Sequence, residues 1–188
     1  MTEPKDIKAF AFDIYGVFTN GGVLCDINGE LLRTYDAKDC FAVRMATMMG
    51  FPIAIITGGS STSINVRFST LGLNKEDVYM KSRIKTEDLQ DFCTRHGLSA
   101  ADVMFIGDDI PDVGPLMMAG LALCPADAVP EVKAVCDIVS DYPGGKGCIR
   151  NAVEMVLKAQ GKWTLDATAY QAWRHAIDEE YNKIYKKK

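Results

Sequence analysis

The stretch Ala9-Phe10-Ala11-Phe12-Asp13-Ile14-Tyr15-Gly16-Val17-Phe18-Thr19 decides how this chain is read. Its first four residues are apolar without alternation, which predicts a short strand buried on both faces, the habit of parallel sheets. The run ends in a carboxylate, Asp13, and then in a glycine turn with more apolar residues beyond. In open parallel sheets, ligands bind in the crevice outside the carboxyl ends of the strands, at the topological switch point. An aspartate there stands where a ligand collects. An aspartate at a strand end is also an ordinary turn residue, favoured for its local backbone hydrogen bonds, so the rest of the chain has to decide between the two.

Outward from this strand, residues 23–35 form two strand-like runs around Asn28-Gly29, a dipeptide that supplies two positive φ angles and signals a hairpin. Residues 37–49 carry apolar side chains at helical spacing and stop at Gly50. A buried strand over 51–56 runs into Thr57-Gly58-Gly59. The pattern then repeats: helix 61–71, strand 78–80, helix 85–96 ended by Gly97, strand 103–106, helix 111–118, strand 121–124, a short helix from Pro130, a strand around 137–139 and a helix over 148–160. Strands alternating with helices predict the α/β class. The expected architecture is a Rossmann-like, doubly wound parallel sheet with helices on both faces, right-handed crossovers and a β-hairpin after the first strand. Beyond Thr164, Tyr170, Trp173, Ile177, Tyr181 and Ile184 recur at steps of three and four, the stripe of a helix that packs on its own domain or a sister subunit. The expected division is therefore a domain over 1–163 and a C-terminal helical extension over 164–188.

With 188 residues, the chain is expected to form one main folding unit able to bury roughly 70% of its unfolded surface. A net charge of −4, with its basic cluster confined to the tail from Lys183 to Lys188, argues against a nucleic-acid partner, which needs a clustered basic face. Six cysteines without a Cys-x-x-Cys pair and two histidines argue against zinc. Without a signal peptide they read as reduced thiols of a cytoplasmic protein. No run of apolar residues is long enough to span a membrane.

Three further polar signals fall where strands end: Thr57-Gly58-Gly59, then Lys85 opening a helix, then Gly107-Asp108-Asp109-Ile110-Pro111-Asp112. Singly, each has an ordinary explanation as a helix cap, a surface lysine, or acidic residues against a helix dipole. Together they count for more, because parallel strands deliver their carboxyl ends to one edge. Asp13, Thr57, Lys85 and Asp108 are expected to converge there. Two carboxylates and a backbone carbonyl suit Mg²⁺, which keeps several waters and accepts a substrate phosphate. The hydroxyl of Thr57 and the ammonium of Lys85 complete a phosphate clamp, and one carboxylate remains to attack phosphorus and form an aspartyl-phosphate.

The set D-x-x-G-V-F-T from Asp13, T-G at Thr57, Lys85, and G-D-D-x-x-D from Gly107 resembles the haloacid dehalogenase superfamily. The lack of an inserted cap domain, the early hairpin, the segment Gly144-Gly145-Lys146-Gly147-Cys148-Ile149-Arg150 and Gln160-Gly161-Lys162-Trp163 resemble its 3-deoxy-D-manno-octulosonate 8-phosphate phosphatases and relatives acting on sialic-acid-like sugar phosphates. The resemblance implies that Asp13 is nucleophile and metal ligand, that the backbone carbonyl of Tyr15 and the side chain of Asp108 complete the Mg²⁺ site, and that Thr57, Gly58 and Lys85 hold the phosphate. It implies sugar contacts from Asp36, Ala37, Lys38, Asp39, Cys40 and Arg44, and a further substrate-binding arginine at Arg67. It also implies a homotetramer in which hairpin and C-terminal segment close a neighbouring site. Gly59 stands at a substrate-facing position where relatives carry arginine or glutamate. Tyr15 stands where family enzymes carry the aspartate that protonates the leaving oxygen and activates water.

These readings yield an Mg²⁺-dependent phosphatase of a sugar acid phosphate, either 3-deoxy-D-manno-octulosonate 8-phosphate or a related nonulosonate 9-phosphate, slowed by Tyr15. The competing class is a weak or inactive relative that binds a sugar phosphate or supplies a subunit interface; turnover of small phosphate esters separates the two. A receiver-type signalling domain also uses Asp, Thr, Lys and an acidic pair. There, however, the acidic pair follows the first strand, whereas here Asp108-Asp109 comes late.

Overall fold

The computed structural model describes residues 1–163 and, in the C-terminal segment, residues 168, 170–172 and 174–175. The elements run β1 (Ala9–Phe12), β2 (Leu24–Cys25), β3 (Leu31–Leu32), α1 (Ala37–Met48), β4 (Ile53–Ile56), α2 (Thr62–Thr70), β5 (Val78–Tyr79), α3 (Lys85–His96), β6 (Val103–Ile106), α4 (Val113–Met118), β7 (Leu121–Cys124), α5 (Pro130–Lys133), β8 (Ile138–Val139) and α6 (Cys148–Ala159). Six strands form one sheet in the order β5-β4-β1-β6-β7-β8, and every pair in it is parallel. The chain runs outward from β1 to β4 and β5 and then returns to the other side of β1 with β6, so the switch point lies at the carboxyl ends of β1 and β6.

The apolar run at β1 fills both layers because successive side chains point to opposite faces. Phe10 and Phe12 join the cluster that includes Val43 and Ala46 of α1 and Val153 and Val156 of α6. Ala9 and Ala11 face Leu89, Phe92 and Cys93 of α3 and Leu116 of α4. Phe18 extends the first layer past the strand, edge-on to Phe12 at 5.4 Å and to Phe68 at 5.0 Å between ring centroids. This packing anchors the loop that carries Asp13 to Thr19.

The hairpin is present, with β2 and β3 antiparallel, but its turn differs from the expected one. Gly29 takes φ +79° while Asn28 does not enter the left-handed region. The N–H of Gly29 donates to the carbonyl of Asp26 at 3.1 Å, and the N–H of Asp26 to that of Glu30 at 3.0 Å. This is a three-residue loop with glycine in the bulge position. Asp26 selects it, because its carboxylate accepts from the N–H groups of both Asn28 and Glu30 at 2.8 Å.

Of the expected C-terminal stripe, Trp173, Ile177, Tyr181 and Ile184 lie outside the described residues. The ring of Tyr170 stands 6.1 Å from that of Phe41 on α1.

Candidate active site

At the end of β1, the N–H of Asp13 still bonds across to the carbonyl of Ile106 at 3.0 Å. Its carboxylate is therefore fixed at the sheet edge and is only 5% exposed. Past β4, the chain crosses the loop after β5: the N–H of Lys81 donates to the carbonyl of Gly59 and that of Ser82 to the carbonyl of Thr57, both at 3.0 Å. That crossing aims the start of α3 at the switch point. Lys85, the first residue of α3, extends its ammonium to Asp13 Oδ1 and Asp112 Oδ1, each at 2.7 Å. A lysine at a helix start faces the positive end of the dipole, and the two carboxylates offset this.

Asp112 uses its other oxygen on the backbone, where Oδ2 accepts from the N–H groups of Asp108 at 3.1 Å and Asp109 at 3.4 Å. It is buried, and it positions both Lys85 and the loop after β6. Asp108 in turn lies against Gly16, where a Cβ would stand 2.0 Å from its Oδ2. Gly16 also takes φ +78°. Both facts require glycine there.

Asp13, Asp108 and Asp112 bring one carboxylate oxygen each to within 4.8 Å of one another, with Lys85 as the buried cation among them. Burial raises Asp13 first, repulsion from Asp112 adds to it, and Lys85 opposes both, leaving its carboxyl at about 6. Burial, with the charges of Asp13, Asp112 and Asp109, pushes Asp108 up to about 7. Burial acts to lower Lys85, but Asp13 and Asp112 outweigh it and hold the ammonium above its ordinary value. Three carboxylates against one ammonium leave net negative charge at one point. Asp13 Oδ2 and the Asp108 carboxylate are the hard oxygens left to receive a divalent cation.

These groups line a cleft of about 660 Å³ with Tyr15, Gly16, Gly58, Gly59, Ser82 and Arg83. Thr57 is fully buried beneath it, its hydroxyl accepting from the N–H of Gly59 at 3.3 Å. Tyr15 stands at the mouth. Its hydroxyl accepts from Nε of Arg33 at 2.8 Å and from Nη2 of the same guanidinium, which lies 5.0 Å from the ring centroid. The ring packs over Gly59, where a Cβ would stand 2.6 Å from Tyr15 Cε2 and 2.7 Å from its hydroxyl.

Thus Asp13, Tyr15, Gly58, Gly59, Lys85 and Asp108 come together with Thr57 below them. Other expected substrate contacts stand apart from this cleft. Asp36 caps α1 by accepting from the N–H groups of Lys38 and Asp39, and Ala37 and Lys38 are exposed beside it. Asp39 is fully buried and accepts from the N–H groups of Gly147 at 3.1 Å and Arg150 at 2.7 Å, at the start of α6. Cys40 is buried, Arg44 reaches toward Gly72, and the Arg67 guanidinium lies 5.9 Å from the Tyr35 ring centroid. Sequence reasoning gave no role to two residues that the geometry singles out. Asp112 had a signal, as the last carboxylate of G-D-D-x-x-D. Arg33 had none, because its partner is 18 positions away.

A family profile described as haloacid dehalogenase-like hydrolase matches residues 56–149. The chain is 30% identical over 162 residues to the 3-deoxy-D-manno-octulosonate 8-phosphate phosphatase KdsC of Salmonella typhi, covering 86% of this chain and 85% of that protein. To the Haemophilus influenzae protein of the same name it is 30% identical over 166 residues, covering 88% and 91%. Its fold is similar to the crystal structure of the Moraxella catarrhalis 3-deoxy-D-manno-octulosonate 8-phosphate phosphatase in complex with a magnesium ion, a phosphate ion and a KDO molecule, with a TM-score of 0.82 and 27% identity over 90% of this chain and 94% of that one.

Proposed function

The chain belongs to the haloacid dehalogenase-like hydrolases and, within them, to the 3-deoxy-D-manno-octulosonate 8-phosphate phosphatase-like family, and from that premise we propose that it is an Mg²⁺-dependent phosphatase of a sugar acid phosphate. The substrate is 3-deoxy-D-manno-octulosonate 8-phosphate, as the names of its relatives support, or a related nonulosonate 9-phosphate. The observation that carries this reading is Asp13, held by Lys85 at 2.7 Å, with Asp108 beside it in the same cluster.

Lys85 fixes the Asp13 carboxylate through Oδ1, and one oxygen of that carboxylate attacks phosphorus while the other remains for the metal. The ammonium and the Gly58 loop flank the phosphoryl oxygens, and Asp112 keeps Lys85 in place. The aspartyl-phosphate formed on Asp13 divides one hard displacement into two easier ones. Asp13, Asp108 and the carbonyl of Tyr15 would hold Mg²⁺, which would supply neutralisation of the phosphoryl charge. Phosphate release over a panel of sugar acid phosphates, with Mg²⁺ and with EDTA, tests the proposal. Release is expected to need Mg²⁺ and to vanish in Asp13→Asn. Equal release in EDTA would sink the assignment.

A second reading rests on Tyr15, which puts a phenol where a carboxylate is expected. It makes the chain a weak or inactive relative that binds a sugar phosphate or serves at a subunit interface. Saturable binding of the sugar phosphate with no release over the same panel would favour it.

The assembly belongs to the same proposal: a homotetramer, with the hairpin of one chain over the site of another. Leu24 is 67%, Ile27 101% and Leu32 45% exposed on that hairpin, and two short strands are marginal alone in water. A monomer in light scattering at micromolar concentration would refute this. All six cysteines are free thiols, which accords with a cytoplasmic setting. Among the described residues no helix is long and apolar enough to cross a membrane.

A further inference from the structure

Resting on the phosphatase reading above, we propose that Arg83 binds the second anionic group of the substrate, the carboxylate of the sugar acid, while the phosphate lies against Lys85. Of the cations in and beside the cleft, Lys85 and Arg33 are already engaged. The Lys85 ammonium is held by Asp13 and Asp112. Arg33 donates to the Tyr15 hydroxyl from Nε and Nη2 and to the carbonyl of Leu31 from Nη1 at 2.7 Å. Arg83 lines the same cleft as Asp13, Lys85 and Asp108, and it is exposed. Among the described residues its guanidinium has no hydrogen bond, ion pair or ring contact.

The backbone that carries this free side chain is fixed. Lys81 takes φ +58°, a left-handed conformation that a residue with a Cβ rarely adopts and that persists only where its surroundings enforce it. Here the N–H groups of Lys81 and Ser82 bond to the carbonyls of Gly59 and Thr57, both at 3.0 Å, and the Ser82 hydroxyl donates to Asp88 of α3. The N–H of Glu87 closes the next turn on the carbonyl of Ile84 at 3.0 Å. Arg83 therefore leaves an anchored segment two residues before Lys85, with five donors unused. A guanidinium of this kind takes a planar carboxylate bidentately.

The charge of the cleft calls for such a partner. Asp13, Asp108, Asp109 and Asp112 line it, against Lys85 and Arg83. A sugar acid phosphate brings a carboxylate into that field as well as a phosphate, and a carboxylate without a counter-charge there is repelled. The loop after β4 supplies no cation, because the Tyr15 ring fills the space of a side chain at Gly59. Arg83 is the cation left to meet the carboxylate.

The test compares 3-deoxy-D-manno-octulosonate 8-phosphate with its carboxamide, which keeps the shape of the carboxylate without its charge, both assayed with Mg²⁺. In the parent protein the carboxylate form is expected to have the higher kcat/KM by about tenfold or more, the scale of one hydrogen-bonded charge. Arg83→Met should abolish that preference through KM with kcat nearly unchanged, as the loss of uniform binding requires, and Arg83→Lys should restore part of it. Inhibition by inorganic phosphate should be equal in parent and Arg83→Met. A parent without the preference, or a preference that survives in Arg83→Met, overturns the assignment. So does an equal loss of phosphate inhibition, which would put Arg83 on the transferred group. If the parent cleaves neither compound, the phosphatase reading falls separately, and calorimetric binding of the two intact compounds decides the recognition. Selective loss of affinity for the carboxylate form in Arg83→Met then supports it, and unchanged affinities overturn it.

Discussion

Asp108→Asn is expected to stabilise the metal-free protein while removing its affinity for Mg²⁺. The Asp108 carboxyl is pushed up to about 7 by burial and by Asp13, Asp112 and Asp109, whereas an unfolded aspartate titrates near 4. Between those values the folded chain binds more protons than the unfolded one. Stability therefore falls as pH rises from about 4 to 7, and the loss is complete above that range. At full strength such a displacement costs about 4 kcal/mol. Asp108 is only half-buried, and solvent screening reduces the cost to about 1–2 kcal/mol. Asparagine keeps the shape without the charge, so thermal unfolding in EDTA at pH 8 should shift up by about 3–6 °C for a chain of this size. At pH 3 the shift should vanish, because the parent carboxyl is then largely neutral in both states. Excess Mg²⁺ should reverse the order, adding about 2.7 kcal/mol to the parent at a hundredfold excess over Kd and much less to the variant. An Asp108→Asn protein no more stable than its parent at pH 8 in EDTA, or equally favoured at both pH values, would refute the electrostatic reasoning.

Tyr15→Asp should raise steady-state phosphate release by at least about tenfold, because a phenol keeps its proton at neutral pH and is a poor base for the water that hydrolyses the aspartyl-phosphate. Normal Mg²⁺ affinity with no faster release would end that explanation. Gly59→Ala should displace the Tyr15 ring and cost about 1–3 kcal/mol through the lost charged hydrogen bonds. In a Tyr15→Ala background the same substitution should cost almost nothing, and denaturant unfolding of the four proteins would expose additive costs if the contact is unimportant. Asp39→Ala should lower the midpoint of thermal unfolding by about 4–8 °C, equivalent to about 2 kcal/mol, with little change in KM. A raised KM at unchanged stability would instead place Asp39 against substrate.

The sheet was legible because its signal is local. Phe10 and Phe12 against Ala9 and Ala11 already encode two buried faces, and Gly97 ends α3 in the left-handed conformation, φ +65°, as its position predicts. Convergence of Asp13, Lys85 and Asp108 followed from strand direction alone. The hairpin turn was less legible, since Asn28-Gly29 carries a local preference that the Asp26 carboxylate overrides. The Tyr15–Arg33 contact could not be read at all. It depends on how far the hairpin folds back over the cleft, a distance that no local pattern contains. Asp39 shows the opposite difficulty: a carboxylate near a substrate-contacting motif and a carboxylate holding the start of a distant helix look alike until α1 and α6 are packed together.

Tyr15 and Gly59, the two positions that depart from the pattern the family resemblance implies, become one feature in three dimensions. A phenol reaches several ångströms farther than a carboxylate, so a tyrosine following the nucleophile has to lay its ring across the next loop. The space it takes is the space of a side chain at position 59, where a Cβ would meet the ring at 2.6 Å. An arginine or glutamate there would be driven into the ring. With glycine at that position, the cleft lacks a charged side chain on that loop, and Arg33 from the hairpin brings a guanidinium to the same mouth instead. The guanidinium beside the ring thus comes from the hairpin rather than from the loop after β4. Substrate recognition in this chain should accordingly depend on hairpin position more than the fixed residues of the cleft floor would indicate.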